Sequence, residues 1–283
     1  MISLRKRLLT ALVTLVGVYS LIFCLARFLP ADPSLIHLGE RGSNVDRGRW
    51  LRSRNLQRPL GEQFFSFPLG KENLSLFRRE PVRTLVLRSL PQTLSLALFS
   101  WILALIPAAL LLPLPKMGET TVLLSTPFPP LVSGSILMVV FSSWRFLPFL
   151  TLAIALYPNL YRGLKKSLQR EQSRPYLLGL AKIGLPQRRI RLHLFRRLLP
   201  ALLTLGALQV EGLLTGTIIT ETLFSRPGLG SLLAEAVRRR DYPLLEGLVL
   251  FLAIVTVLLN FIVDLALYLL DPRLRRRSYE GSL

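Results

Sequence analysis

Apolar residues in this chain gather into runs of about 20 instead of spreading at the spacing of a water-soluble helix or strand. The first run, Leu8 to Leu29, follows Arg5, Lys6 and Arg7. Others cover Leu90 to Leu112, Thr120 to Phe141, Leu147 to Tyr161, Leu198 to about Leu223, and Leu244 to Leu270. At 1.5 Å per residue such runs match a hydrocarbon core of about 30 Å. The pattern predicts an all-α membrane protein with six transmembrane helices.

Prolines and polar gaps punctuate these runs. Pro107 falls near one end of the second run, where it is expected to kink the helix. Pro127, Pro129 and Pro130 interrupt the third, and a helix broken at membrane depth is tolerated against protein or a wet cavity. Val82 to Ser89, with Arg83 and Arg88, reads as an interfacial approach to the second span. Arg27, near the end of the first, reads as a side chain snorkelling outward. The first run is too long and lacks an A-x-A-like site for a cleaved signal peptide, so it reads as a retained span. The expected division is a first span at 1–29, a polar external segment at 30–89, and a core of five spans at 90–271. A basic tail, 272–283, follows.

Charge orients this arrangement. The chain is 51% hydrophobic and 18% charged, with a formal net charge of +20. Arg162 to Pro200 holds eleven Lys/Arg against one acid, Glu171. A basic segment between membrane-length runs is expected in the cytoplasm. So are the N-terminal bases and Arg275 to Arg277, which puts both termini inside. Segment 30–89, with eleven bases and six acids, and Arg238 to Arg240 run against that rule. The bases lie beside apolar runs without interleaved stacking aromatics, so nucleic acid is not an expected partner; the lipid bilayer is. The one cysteine, Cys24, excludes an internal disulfide framework and a cysteine-rich metal site.

No catalytic constellation emerges. G-x-x-x-x-G-K-[ST] and H-E-x-x-H are missing, and His37 and His193 fall on opposite sides of the expected membrane. No cofactor, metal or catalytic residue is therefore assigned, and the chain is not expected to be an enzyme. Two acids lie within spans, Glu211 in the fifth and Asp264 in the sixth. An ionised carboxylate in hydrocarbon is costly, so each should face protein or water. Gln209, Thr215, Thr217 and Thr220 give the helix around Glu211 a polar stripe, read as a translocation pathway of Gln209, Glu211, Thr215 and Thr217. The competing reading is a hydrogen-bonded acid at a helix contact; Asp264, four residues after Asn260, has a similar alternative. A further alternative makes the chain an ion-coupled secondary transporter using Glu211 and Asp264. Gly212 to Gly216 is a G-x-x-x-G, read as a packing surface.

The basic segment itself divides. Pro175 suits the first turn of a short helix, Tyr176 to Ile183, closed by Gly184 and Pro186. Tyr176, Leu177, Leu178, Leu180 and Ile183 are unusually apolar for a cytoplasmic segment, which suggests lipid or a partner's groove. Beyond it, Arg188, Arg189, Arg191, Arg196 and Arg197 alternate with apolar residues as an interfacial helix entering the fifth span.

Several motifs, taken in order, carry a resemblance. They are Arg58-Pro59-Leu60, Pro91-Gln92-Thr93-Leu94-Ser95-Leu96-Ala97, Leu147-Pro148-Phe149-Leu150-Thr151-Leu152-Ala153 and Asp271-Pro272-Arg273. Most specific are Glu221-Thr222-Leu223-Phe224-Ser225-Arg226-Pro227-Gly228-Leu229-Gly230 and then Arg240-Asp241-Tyr242-Pro243. The chain resembles permease subunits of binding-protein-dependent ABC importers, in particular the B-type subunit of dipeptide, oligopeptide and nickel systems.

The resemblance implies a type I importer fold in a bacterial cytoplasmic membrane and alternating access driven by ATP. It implies a second permease as heterodimer partner, two ATP-binding subunits at the cytoplasmic face, and an external solute-binding protein that sets selectivity. Dipeptides or oligopeptides are the implied cargo. It places the ATPase-coupling segment at Pro175, Tyr176, Leu177, Leu178, Gly179, Leu180, Ala181, Lys182, Ile183 and Gly184. An external motif falls at Glu221, Pro227, Gly228, Gly230, Asp241, Tyr242 and Pro243. In the family's coupling loop, Glu-Ala-Ala stands where this chain has Leu178, Gly179 and Leu180. Glu211 stands where relatives carry a small residue.

Overall fold

A computed structural model describes residues 4–28, 34, 38, 43–53, 56–65, 73–126, 128–141, 145–174 and 186–270. The described residues are mostly helical: α1 (Leu4–Phe28), α2 (Asn44–Ser53), α3 (Leu60–Phe65), α4 (Val82–Leu110) and α5 (Pro115–Ser125). There follow α6 (Pro130–Phe141), α7 (Leu147–Gln172), α8 (Gln187–Leu223), α9 (Leu229–Arg239) and α10 (Tyr242–Leu270). Among them there is no β-strand, only an isolated bridge between Leu74 and Pro81. Three helices among the described residues are long and apolar enough to cross a membrane, within Leu9–Phe28, Val82–Leu110 and Tyr242–Val263, and the pair α5–α6 makes up to four if counted as one bent span. Contacts divide the chain into two compact units.

One unit, residues 94–224 with 259–283, is built on α7. Leu152, Ala153, Leu156, Tyr157, Leu160, Tyr161 and Leu164 recur at helical spacing and are all buried. Leu96, Ala104 and Ala108 of α4 and Val122 of α5 complete that core. Inside a bilayer the tails are as apolar as leucine, so close packing holds this core more than water exclusion does. Gly216 of α8 shows how close the packing is: a Cβ there would sit 2.5 Å from a methyl of Leu152. Packing is the role its G-x-x-x-G predicts.

The other unit comprises residues 2–93 and 225–258. Val82, Leu85 and Val86 of α4 close on Leu229, Leu232 and Ala236 of α9 and on Leu244 and Leu248 of α10. These contacts revise the expected interfacial segment 82–89. Its apolar residues have partners more than a hundred positions away, so the segment forms the first turns of α4 itself.

Three other boundaries differ from the sequence pattern. The third run begins at Pro115, whose ring suits the first helical turn, and bends by 91° between α5 and α6. α7 does not stop at Tyr161 but carries Arg162 to Gln172. α8 absorbs the whole arginine-rich stretch and runs unbroken through Pro200.

Arg27 departs from the expected outward snorkel. Its guanidinium pairs with Glu246 of α10, donates to Gln63 Oε1 at 2.9 Å, and lies 3.9 Å from the Phe23 ring centre. Tyr19 donates its hydroxyl to the Phe64 carbonyl at 2.8 Å, so α1 holds α3 by two polar contacts. Breaking a buried pair strands the surviving charge, at about 3–5 kcal/mol. Arg27→Met should lower the thermal midpoint of the purified protein sharply, and adding Glu246→Leu should restore most of the loss. A double variant as unstable as the single one would show that the pair is not what holds α1.

Candidate functional site

The motif Glu221 to Pro243 is assembled by local rules and then fastened to a distant loop. Glu221 is fully buried near the end of α8, where the Phe224 N–H closes the helix on the Thr220 carbonyl at 3.0 Å. Ser225, at φ 51°, turns the chain; Pro227 is exposed, and Gly228 and Gly230 are buried. Ser231 Oγ accepts the Gly228 N–H at 3.0 Å, and the Leu229 N–H donates to Thr93 Oγ1 at 2.8 Å. Thr93 thus satisfies a donor that the start of α9 would leave without a helical partner. The sequence offered Thr93 only within a quoted motif and assigned it no role.

α9 ends on a left-handed Arg240, φ 53°, with the Arg240 N–H on the Val237 carbonyl and the Asp241 N–H on the Ala236 carbonyl at 2.9 Å. This is the double closure usually made by glycine, and a side chain there costs about 1 kcal/mol. The turn delivers Asp241 to the start of α10. Asp241 Oδ1 accepts the Leu244 N–H at 3.2 Å, the N-terminal capping bond, and also the Leu76 N–H at 3.1 Å. Oδ2 accepts the Phe77 N–H at 3.2 Å and the Ser75 hydroxyl. Tyr242 opens α10, and Pro243 occupies a first-turn position that needs no backbone donor. Glu235 accepts from Arg78 at 2.6 Å and from Arg239 at 3.2 Å, while Arg239 covers the Phe77 ring at 3.3 Å. Loop 75–78 is therefore fixed from two helices, and nothing in the pattern around Ser75 signalled this.

A second polar cluster ties α5 to α7. Tyr157 Oη lies 2.6 Å from Thr121 Oγ1 and 3.4 Å from the Gly118 carbonyl oxygen. Tyr161 stacks beside Tyr157 with ring centres 5.9 Å apart, and its ring fills the space left by Gly118. One turn on, Arg162 donates to Thr126 Oγ1 at 3.2 Å, and Lys165 pairs with Glu119. The arginine- and lysine-bearing end of α7 is thus attached to one limb of the bent pair. Beyond Arg174, which pairs with Glu171 at 2.8 Å, the expected coupling residues Pro175 to Gly184 lie outside the described residues.

The four residues expected to line a pathway do not share one face of α8. Gln209 is buried, with Nε2 reaching the Leu156 carbonyl at 3.5 Å and Oε1 without a partner among the described residues. Thr217 and Thr220 are buried on the same side. At 100° per residue, positions 211 and 215 fall about 200° and 240° around the helix from position 209. The side chains of Glu211, Thr215 and Asp264 lie outside the described residues. No group of three metal-ligating side chains occurs among the described residues.

Residues 84–276 match the family described as binding-protein-dependent transport system inner membrane component. The chain is similar to the di/tripeptide transport system permease protein DppB of Pseudomonas aeruginosa, at 30% identity over 97% of this chain and 98% of that one. It is similar to the dipeptide transport system permease protein DppB of Escherichia coli, at 27% over 96% and 98%. The glutathione transport system permease protein GsiC of Salmonella typhimurium is 29% identical over 95% and 97%.

Proposed function

The chain belongs to the family of binding-protein-dependent transport system inner membrane components, as a multi-pass permease subunit of an ABC importer, and we propose that its cargo is a dipeptide or short oligopeptide. The observation that carries the cargo is relatedness from end to end to a di/tripeptide permease, with both chains almost wholly covered. The same membership sets aside the ion-coupled alternative through Glu211 and Asp264.

In this reading α1, α4, the bent pair α5–α6, α7, α8 and α10 make six spans with both termini in the cytoplasm. The chain forms a heterodimer with a second permease, takes solute from an external binding protein, and rests on two ATP-binding subunits that perform the hydrolysis. The divisions 1–29, 30–89, 90–271 and 272–283 stand as proposed, with 162–200 as the cytoplasmic coupling region. Pro175 to Gly184 docks on the ATPase, and Glu221, Pro227, Gly228, Gly230, Asp241, Tyr242 and Pro243 build the external end of the core. Support for coupling comes from the attachment of α7 to α5: a push on the segment after Arg174 reaches the bent span through Lys165–Glu119 and the tyrosine pair. Rigid-body rocking of packed helices then opens one side of the path and closes the other.

Copurification of the intact complex, with ATPase subunits and a second permease, tests the assembly. Within it, Gly184→Arg or Leu180→Asp should leave the protein in the membrane and ATP hydrolysis running while uptake falls at least about tenfold, a loss of about 1.4 kcal/mol or more in coupling. Normal uptake by both variants would remove the docking role.

A further inference from the structure

The bases of segment 30–89 run against the orientation rule, and most of them fall close together. Between positions 41 and 58 stand Arg41, Arg47, Arg49, Arg52, Arg54 and Arg58 against one acid, Asp46. Asp46 is already engaged at the start of α2, where Ser43 Oγ accepts the Asp46 N–H at 3.1 Å and donates to its carboxylate at 2.6 Å. Arg49, Arg52 and Arg58 are exposed, and none of the three forms an ion pair among the described residues. Arg52 donates only its Nε, to Gln57 Oε1 at 3.2 Å, so the end of its guanidinium stays open. At 100° per residue Val45, Arg49 and Arg52 lie within about 60° of one another on α2, and all three are exposed.

α3 fixes the depth of this cluster. Tyr19, Phe23 and Arg27 follow at four-residue spacing on α1, and all three reach α3. The Tyr19 hydroxyl donates to the Phe64 carbonyl at 2.8 Å, the Phe23 and Phe64 ring centres are 5.2 Å apart, and Arg27 donates to Gln63 Oε1 at 2.9 Å. Tyr19 to Phe28 is about 13 Å of helix, so α3 lies beside the end of a span and not beyond it. The turn before α3 holds α2: the Leu56 N–H donates to the Leu51 carbonyl at 3.1 Å, and Gln63 Nε2 donates to the Leu56 and Arg58 carbonyls at 3.1 and 2.7 Å. On α3, six residues long and too short to span, Leu60 is 59% and Phe65 84% exposed.

We propose that α2 and α3 form a platform on the outer face of the membrane. Leu60 and Phe65 enter the edge of the hydrocarbon, and Arg49, Arg52 and Arg58 bind the phosphates of anionic phospholipid headgroups. A guanidinium meets a phosphate through two parallel hydrogen bonds, and a headgroup of net negative charge is held more tightly than a zwitterionic one. Apolar residues at the rim of a span beside unpaired arginines are the composition of an interfacial helix. An acidic protein face would also satisfy the arginines, but from the aqueous side it would not reach residues at the depth of the last turns of α1. The outer side rests on the topology of the transport reading.

The test needs neither solute nor ATP. The assembled importer is placed in phosphatidylcholine nanodiscs containing photoactivatable phosphatidylglycerol or phosphatidylcholine at equal mole fraction, and crosslinked peptides are mapped by mass spectrometry. The phosphatidylglycerol probe should label residues 44–65 at least about fivefold more than the phosphatidylcholine probe, a preference that shrinks in high salt. Arg49→Gln, Arg52→Gln and Arg58→Gln together should remove most of the preference, and lysine at the same three positions should retain more of it than glutamine does. Equal labelling by the two probes, or a preference untouched by the glutamine variant, would overturn headgroup recognition. Labelling by neither would overturn the platform; shielding of the same peptides from hydrogen exchange by the external binding protein would then make the face a protein dock. Sidedness is read separately with Ser53→Cys in a Cys24→Ser chain and a membrane-impermeant maleimide on intact spheroplasts. Labelling from outside is expected. Labelling only after permeabilisation would overturn the topology of the transport reading, whereas failed lipid crosslinking with Ser53→Cys open from outside overturns the platform alone.

Discussion

Asp241→Ala is expected to destabilise the protein by about 3–4 kcal/mol. The carboxylate is 1% exposed and accepts from four donors, the Ser75 hydroxyl and the Leu76, Phe77 and Leu244 backbone N–H groups. Alanine removes the acceptor but leaves three backbone donors whose positions are set by helix and loop geometry. A stranded buried donor costs about 1–3 kcal/mol, and bonds to a charged acceptor are the stronger kind. Loss of the helix cap adds about 1 kcal/mol to part of that total. The thermal midpoint of the purified protein should fall by about 5–10 °C. Asp241→Asn keeps the shape and one acceptor oxygen, so it should recover roughly half of the loss. A midpoint unchanged in Asp241→Ala would show that loop 75–78 is held by the Glu235 and Phe77 contacts alone.

Gly118→Leu is expected to be nearly as damaging, at about 3 kcal/mol. A Cβ at position 118 would lie 2.1 Å from Tyr161 Oη and 2.4 Å from a ring carbon, far inside contact distance. Tyr161 is 1% exposed and stacked on Tyr157, so its ring has no free space to enter. The strain must be relieved by separating α5 from α7, which also parts Lys165 from Glu119. Uptake should therefore fall more than the amount of folded protein does. Gly118→Ala combined with Tyr161→Ala should be more stable than the sum of the single effects, by about 1 kcal/mol or more, because Tyr161→Ala removes the ring atoms that the new Cβ would meet and that Cβ takes up part of the space the ring leaves. Strict additivity would show that the two residues do not meet.

The parts of this fold legible in the sequence are those governed by local composition. Apolar runs marked the three described helices that are long and apolar enough to cross a membrane, and the proline cluster at Pro127 to Pro130 marked the break between α5 and α6. What depended on distant partners was not legible. Arg27 looked like an outward-reaching cation because Glu246 lies 219 residues away. Val82, Leu85 and Val86 looked interfacial because their partners in α9 and α10 come late in the chain. The motif Arg240-Asp241-Tyr242-Pro243 could be picked out by resemblance, and its local logic of turn, cap and first-turn proline is readable. Its grip on Ser75, Leu76 and Phe77 is not. The polar residues of α8 were visible as a group, but a helix shows two faces only once one is seen packed. Gln209 and Thr217 then separate from positions 211 and 215.

The central claim is that this chain forms the membrane path of an importer driven by ATP. The direct measurement is uptake of a radiolabelled dipeptide into proteoliposomes holding the full complex, with the external binding protein added and ATP enclosed on the opposite side. Uptake should require both ATP and the binding protein and should survive collapse of proton and sodium gradients. Uptake that continues without ATP and disappears with an ion gradient would contradict it.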